Sequence, residues 1–247
     1  MLFDCFMLRD ELDMLEVRLR EFEDRDVTHV LVESATTHRG GSKPLHYADN
    51  AGRFAPWKER IVHVAADGLD RPMDPWPREH AQRDAAMAVL AERARPDDVV
   101  LIADVDEFPP WPLPAHDPVA AFRMRLFMYA VDWQYPELHH CAVAAPASLV
   151  KSRGLAAVRD GRYGYPAVDG GMHLTWLGGV EAQRAKLKVS CHTEMTAGEY
   201  ERVWSGACYE RGVHHGGHCM MQPVDVDGTW PEMIWKRECP ESWFRPR

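Results

Sequence analysis

Residues 98–108 read DVVLIADVDEF, and no other stretch limits the possible folds as tightly. The apolar run 99–103 closes on Asp104, Asp106 and Glu107, and Pro109-Pro110 bar its continuation. A short apolar run bounded by prolines reads as a buried strand, so the acids stand where a strand leaves its sheet. Open α/β sheets bind ligands at such strand ends. Two aspartates one residue apart can there hold a hard divalent cation against a phosphate-bearing molecule. The same residues also read as a polar turn with an acidic helix cap, and acid-x-acid is too short a pattern to choose between the two.

The flanking sequence supplies the sheet. Residues 2–6 read as a strand. Leu12, Leu15, Leu19 and Phe22 recur at spacings of three and four across 9–23 and predict an amphipathic helix. Strands follow at 28–32 and 60–65, separated by a polar, glycine-containing loop over 35–56. A second helix is expected over 78–93, with Ala81, Ala85, Val89 and Leu90 on one face. This alternation predicts an α/β fold with a mostly parallel central sheet flanked by helices. Beyond Pro110, strands are expected at 122–133, 141–150 and 172–177, and helices at 180–188 and 197–211. From His214 onward no period emerges. Without a linker or internal repeat, the simplest organisation is one domain over 1–247.

Composition removes some classes of function. The 247 residues carry 29 basic and 38 acidic side chains, a formal charge of −9. Nucleic-acid binding therefore has no global electrostatic support, and an anionic substrate needs a local basic cluster or a bound cation. No stretch approaches the 18 or so apolar residues of a membrane span, and the start does not read as a signal peptide. A cytoplasmic location, or one peripheral to a membrane, is the expectation. Six cysteines without a CxxC pair are expected to be reduced thiols.

Several blocks together carry a resemblance: DCFMLRDELDMLEVRLREF (4–22), VTHVLVESATTHRGGSKPLHYADN (27–50), WPREHAQRD (76–84), IADVDEFP (102–109), GGMHLTWLGG (170–179) and KLKVSCHTE (186–194). In order and spacing they resemble glycosyltransferase family 17. The resemblance implies a GT-A type nucleotide-diphospho-sugar transferase fold, with 1–110 as the nucleotide-sugar half and 111–247 as the acceptor side. It implies Mn²⁺ or Mg²⁺ and inverting transfer from a UDP-sugar, with UDP-N-acetylglucosamine favoured, to a saccharide or glycoconjugate acceptor. The residues alone leave two other readings open. One is a metal-dependent nucleotidyl or phosphoryl transfer enzyme; the other is a non-catalytic carbohydrate-binding protein. Oligomeric state is not legible.

On this resemblance Asp104 and Asp106 are the metal-binding pair, with Asp104 leaning toward ribose or metal and His192 as a third ligand. Glu33, at a strand edge, is a candidate to meet uracil or ribose. Arg78 and Gln82 share one helix face and Glu79 and Arg83 another. Arg78, Gln82 and Arg83 are thus candidates for the nucleotide, Arg83 through its bidentate fit to phosphate. The alternative for Arg83 is a Glu79–Arg83 surface pair contributing ~0.3–0.5 kcal/mol. Inversion requires a carboxylate base, for which Asp169 and Glu194 are the candidates. His173 is expected to line the pocket, and Glu107 to stand behind the ligands or cap a helix. The HRGGSK loop (38–43) offers a weak phosphate cradle with Arg39 and Lys43, or a mobile surface loop. The HHGGHC cluster (214–219) has metal-ligating residue types without a known spacing. Trp111, Trp133, Trp176 and Trp230 either stack on sugar faces or belong to the core.

Overall fold

A computed structural model describes residues 1–113 and 119–246. Four strands form its parallel half: β1 (Leu2–Met7), β2 (Val27–Ser34), β3 (Ile61–Ala66) and β4 (Val99–Ile102). They lie in the order β3-β2-β1-β4, with every neighbouring pair parallel. Helices cover such a sheet, so β1 and β4 read as nearly unbroken apolar runs. The chain fills one side of β1 with β2 and β3, then crosses to the other side for β4. The crevice where the order reverses is where this kind of sheet receives ligands.

Five further strands are β5 (Glu107–Phe108), β6 (Ala120–Met128), β7 (Trp133–Pro146), β8 (Ala167–Thr175) and β9 (Gln222–Pro223). β7 joins β4 antiparallel, β6 joins β7 antiparallel, β8 joins β6 in parallel, and β5 and β9 add antiparallel to β8 and β7. The α/β expectation therefore holds, with the sheet parallel in its first half and mixed beyond it. At Gly171, with φ of +84°, a Cβ would lie 2.3 Å from the Phe108 carbonyl. The β5–β8 contact thus needs a residue without a side chain.

Other elements shift from their expected bounds. The 35–56 loop contains a short helix, His46–Asp49, and runs into a 3₁₀ helix, Ala51–Arg60. The expected helix over 78–93 is two, Pro75–Asp84 and Met87–Arg93. The expected strand over 122–133 splits into β6 and β7 at a turn where Tyr129 adopts a φ of 73°. Residues 147–150, expected as strand, open the helix Ala147–Arg153. The helix expected over 197–211 breaks at Ser205-Gly206. The C-terminal segment, without a period, packs Met233, Ile234, Trp243 and Phe244 into the core beside Met14, Leu15 and Leu19 of the helix Leu12–Glu21. Such packing depends on partners distant in sequence, and periodicity cannot show it. All six cysteines are free, as expected. Among the described residues no helix is long and apolar enough to cross a membrane.

One buried ion pair ties this scaffold together. Arg18, fully buried on the helix Leu12–Glu21, donates to both oxygens of Asp4 on β1, at 2.8 and 2.5 Å. His29 on β2 contacts the same carboxylate through Nδ1 at 2.8 Å. The remaining guanidinium nitrogen donates to the carbonyls of Asp104, Val105 and Glu107, at 3.3, 3.3 and 2.7 Å. Burial alone would raise the Asp4 pKa, but Arg18 and His29 outweigh it and lower it to about 2.

Removing one partner of a buried pair strands the other charge. Asp4→Ala should therefore lower stability by about 3–5 kcal/mol, measured by urea unfolding. Because the folded-state pKa of Asp4 lies below its unfolded value, the pair contributes fully above about pH 4. That contribution should drain as pH falls toward the folded value. Equal acid sensitivity of wild type and Asp4→Ala between about pH 4 and 2 would contradict this.

Candidate active site

A cavity of about 700 Å³ opens at the carboxyl ends of the parallel strands. Met7 ends β1 and Leu8 and Arg9 follow it, Thr36–His38 follow β2 and Asp104–Glu107 follow β4; all line it. Leu126 and Met128 of β6 and His173 and Thr175 of β8 form a facing wall, and residues 189–192 and Glu194 form part of the rim. Carboxylates, imidazoles and guanidinium groups thus converge on one concavity at the point where the strand order reverses.

The Asp104–Glu107 turn is its centre. Glu107 is buried and accepts the backbone N–H of Asp104 at 2.9 Å, closing the turn. Arg159, on the helix Leu155–Asp160, donates to both Glu107 oxygens at 2.9 and 2.7 Å and to Asp104 Oδ2 at 2.9 Å. Arg83, on the helix Pro75–Asp84, donates to Asp104 Oδ1 at 2.9 Å, to the Ala103 carbonyl at 3.2 Å and to Glu79. Burial opposes ionisation of Asp104, but the charges of Arg159 and Arg83 win and hold its carboxyl well below the usual carboxylate range. The same carboxylates stabilise the Arg159 cation against its own burial. Arg159 was missed in the sequence because nothing in LAAVRD (155–160) links it to a turn some fifty residues earlier.

Asp106 points to a different neighbour. His173 Nε2 lies 3.4 Å from its Oδ1, and His173 Nδ1 lies 3.5 Å from Cys141 Sγ. Burial would favour neutral His173, but Asp106 and Cys141 push its pKa well above the ordinary value. At the rim, His192 Nδ1 meets Glu194 Oε1 at 2.7 Å, and the Trp76 ring packs edge-on to His192 at 5.2 Å. Burial raises the Glu194 pKa less than the His192 hydrogen bond and charge lower it, so the carboxylate form is favoured. Arg39 donates to the carbonyls of Ser190 and His192, at 2.9 and 3.2 Å, anchoring this segment.

Among the expected site residues, Gln82, Arg83, Asp104, Asp106, His192 and Glu194 meet in this cavity, with His173 beside them. Three others lie outside its lining. Glu33 is fully buried and accepts the backbone N–H groups of Tyr47 and Ala48, at 3.0 and 3.1 Å, with His63 Nε2 2.9 Å away. It holds the start of the helix His46–Asp49. Arg78 spends its guanidinium on the carbonyls of Leu69, His38 and Arg71, at 2.9, 2.6 and 3.1 Å. It shares a helix with Gln82 and Arg83, but its side chain turns into the neighbouring loops. Asp169 sits near the start of β8, far along the strand from His173, and pairs with Arg123 of β6 at 2.6 and 2.9 Å. The Glu79–Arg83 pair is real but buried, and it is continuous with Asp104.

The remaining candidates separate in the same way. In the HRGGSK loop, Arg39 acts as an anchor, while His38 and Lys43 line the cavity. Trp176 lines it too, as does Trp76, which the sequence did not single out. Trp230 packs on Phe127 at 5.3 Å, Trp133 donates to the Tyr209 carbonyl, and Trp111 lies against Arg25. Arg9, Arg162 and Lys186 add basic charge to the lining. Lys186 reaches Thr175 Oγ1 at 3.2 Å and lies 5.5 Å from the centre of the Trp176 ring.

The profile of glycosyltransferase family 17 matches residues 1–144. The beta-1,4-mannosyl-glycoprotein 4-beta-N-acetylglucosaminyltransferase of Rattus norvegicus is 28% identical over 148 residues, covering 52% of this chain and 27% of the rat protein. Its namesake from Homo sapiens is 29% identical over 145 residues, 51% of this chain and 26% of the human protein. The aligned segment thus spans about a quarter of the length of these relatives. A crystal structure of the galactosyltransferase LgtC with donor and acceptor sugar analogs aligns at 12% identity. It covers 63% of this chain and 61% of that one, with a TM-score of 0.36, too loose a likeness to carry residue roles.

The placement of Glu33 is directly testable. Glu33→Gln should cost about 1–3 kcal/mol of stability by weakening the contacts that hold the helix His46–Asp49, read by thermal or urea unfolding. Affinity for a cavity ligand should stay unchanged. A tenfold or greater loss of nucleotide affinity in a folded Glu33→Gln protein would return Glu33 to the site.

Proposed function

The chain belongs to glycosyltransferase family 17, and from that premise we propose that it transfers a sugar from a UDP-sugar to a saccharide or glycoconjugate, with inversion and with a divalent metal. N-acetylglucosamine is the favoured sugar, supported by the names of the two relatives. The observation that carries the reading is that Asp104, Asp106 and His192 all line one cavity at the carboxyl end of β4.

The donor set suits the metal. Carboxylate oxygens with one imidazole match Mn²⁺ or Mg²⁺. Asp106 and His192 are the proposed holders, joined by Asp104, whose two oxygens already accept from Arg83 and Arg159. When bound, the ion would neutralise charge on the departing nucleoside diphosphate. Glu194, accepting from His192 Nδ1, would leave Nε2 free as a ligand, the usual way a carboxylate orients a ligating histidine.

The other residues complete the proposed chemistry. Arg9, Lys43 and Lys186 give an otherwise acidic chain a local basic wall for the diphosphate. Trp76 and Trp176 offer faces suited to the apolar side of a pyranose. The acceptor hydroxyl forms its new bond to the anomeric carbon as the bond to the diphosphate oxygen breaks, and its proton passes to a base. Of the two carboxylates expected for that task, Glu194 lines the cavity, and it is the proposed base.

Calorimetry with UDP and GDP, each with and without Mn²⁺, tests the reading. Metal-dependent UDP binding is expected to exceed GDP binding and to fall on the order of a hundredfold in Asp106→Ala. Absence of UDP binding in the presence of metal would overturn the proposal. Binding of UDP with no turnover of any UDP-sugar, by hydrolysis or transfer, would point to the carbohydrate-binding alternative.

Glu194→Gln separates the two roles placed on that residue. Gln retains an acceptor for His192 but cannot take a proton. As the base, Glu194→Gln should lower kcat about 10²–10⁴-fold with metal affinity little changed. A variant with near-normal kcat would leave Glu194 as a positioning residue for His192 alone.

A further inference from the structure

The segment VHHGGHCM (213–220) takes no part in the proposed transfer, yet it is folded into a closed loop. Val213 and Met220 form an antiparallel bridge. The His214 N–H donates to the Cys219 carbonyl at 3.1 Å, and the Gly217 N–H to the His214 carbonyl at 2.7 Å. Gly217 has a φ of +72°, a conformation that favours glycine and turns the chain back on itself. The result gathers His214, His218 and Cys219, each offering a ligand atom, within 4.8 Å of one another.

Three features set this cluster apart from histidines that merely decorate a surface. The His214 and His218 rings lie 4.3 Å apart between centroids, without a carboxylate in ion-pair contact with either among the described residues. The Gly216 N–H donates to His214 Nδ1 at 3.0 Å, so this nitrogen carries a lone pair, which the ion would take over from the amide. The Tyr135 hydroxyl on β7 contacts His218 Nε2 at 3.2 Å. If it accepts the Nε2 proton, Nδ1 keeps its lone pair; this is the outer hydrogen bond that orients a ligating imidazole.

We propose that His214, His218 and Cys219 form a second metal site, selective for Zn²⁺ or a similar borderline ion, on the loop beside the cavity. Two imidazoles and a thiolate suit zinc and reject Mg²⁺ and Mn²⁺, the ions fitted to the Asp104–Asp106 oxygens. Three protein ligands leave a fourth position for water. Tetrahedral bonds of normal length place ligand atoms about 3.5 Å apart. The cluster therefore needs only a small contraction, which the flanking Gly216-Gly217 permits. Binding replaces the Cys219 S–H bond with an S–metal bond and releases that proton to solvent. Since His214 and His215 also line the cavity, the ion would fix this part of its wall.

The test uses the full chain without an affinity tag. Zn²⁺ titrated against a chromogenic chelator should show one tight site per chain. Co²⁺ in its place should give the near-ultraviolet charge-transfer band of a thiolate ligand. Cys219→Ser should abolish that band. His214→Ala combined with His218→Ala should weaken Zn²⁺ on the order of a hundredfold or more, since loss of even an outer partner costs about 10–100-fold. Asp106→Asn should leave Zn²⁺ binding and the band unchanged, which separates this site from the one proposed for transfer. No Zn²⁺ binding at micromolar concentration in wild type, or a thiolate band that survives Cys219→Ser, would overturn the proposal.

Discussion

The grip of Arg18 on Asp4 and on the carbonyls of the 104–107 turn is the constraint from which the rest of the structure follows. A guanidinium with no exposure pays a desolvation cost that a single carboxylate rarely covers. Here Asp4 accepts two of its hydrogen bonds and the carbonyls of Asp104, Val105 and Glu107 accept the others. The Phe6, Phe22 and Phe108 rings surround it, with centres 4.9, 5.2 and 5.9 Å from Cζ. Helix, central strand and acidic turn are thereby tied to one rigid group. The backbone of the turn has little freedom left, and its side chains are aimed into the cavity before any ligand arrives.

That anchoring allows a dense set of charges to coexist at the strand ends. Asp104 is held by Arg83 and Arg159, Glu107 by Arg159, and Glu79 by Arg83. Each arginine bridges two acids, so none of these buried charges stands alone, which would be costly. Asp106 is the exception, meeting a histidine at 3.4 Å in place of a guanidinium. The −9 balance of the chain thus says little about the site, where fixed local charges dominate over net charge at short range.

How much was legible depended on where the partners lie. The parallel strands declared themselves as apolar runs, and the helix Leu12–Glu21 as a three-four period, because both signals are local. Two helices were merged into one over 78–93 because the break at Ala85-Ala86 lacks a glycine or proline to announce it. Asp4 offered an unused clue: a carboxylate within the apolar strand LFDCFM requires a buried cation, and Arg18, next to Leu19, is the first basic residue of the following helix. Glu33 and Arg78 were the right residue types at strand-end positions. Their side chains are nevertheless consumed by backbone groups of loops whose paths the sequence does not reveal.

By itself, the sequence determined the order of the four parallel strands, the helix Leu12–Glu21, the strand-end position of Asp104 and Asp106, and the resemblance that brought Arg83, His192 and Glu194 into consideration. These follow from local periodicity and from motifs read within a few residues. Only the tertiary structure decided which charges face one another. Arg159 reaches Asp104, Arg39 reaches His192, and Asp169 turns to Arg123 away from the cavity. The physical reason is that a side chain's role depends on what shares its few ångströms of low-dielectric space. Strand pairing and helix packing choose those neighbours from across the whole chain.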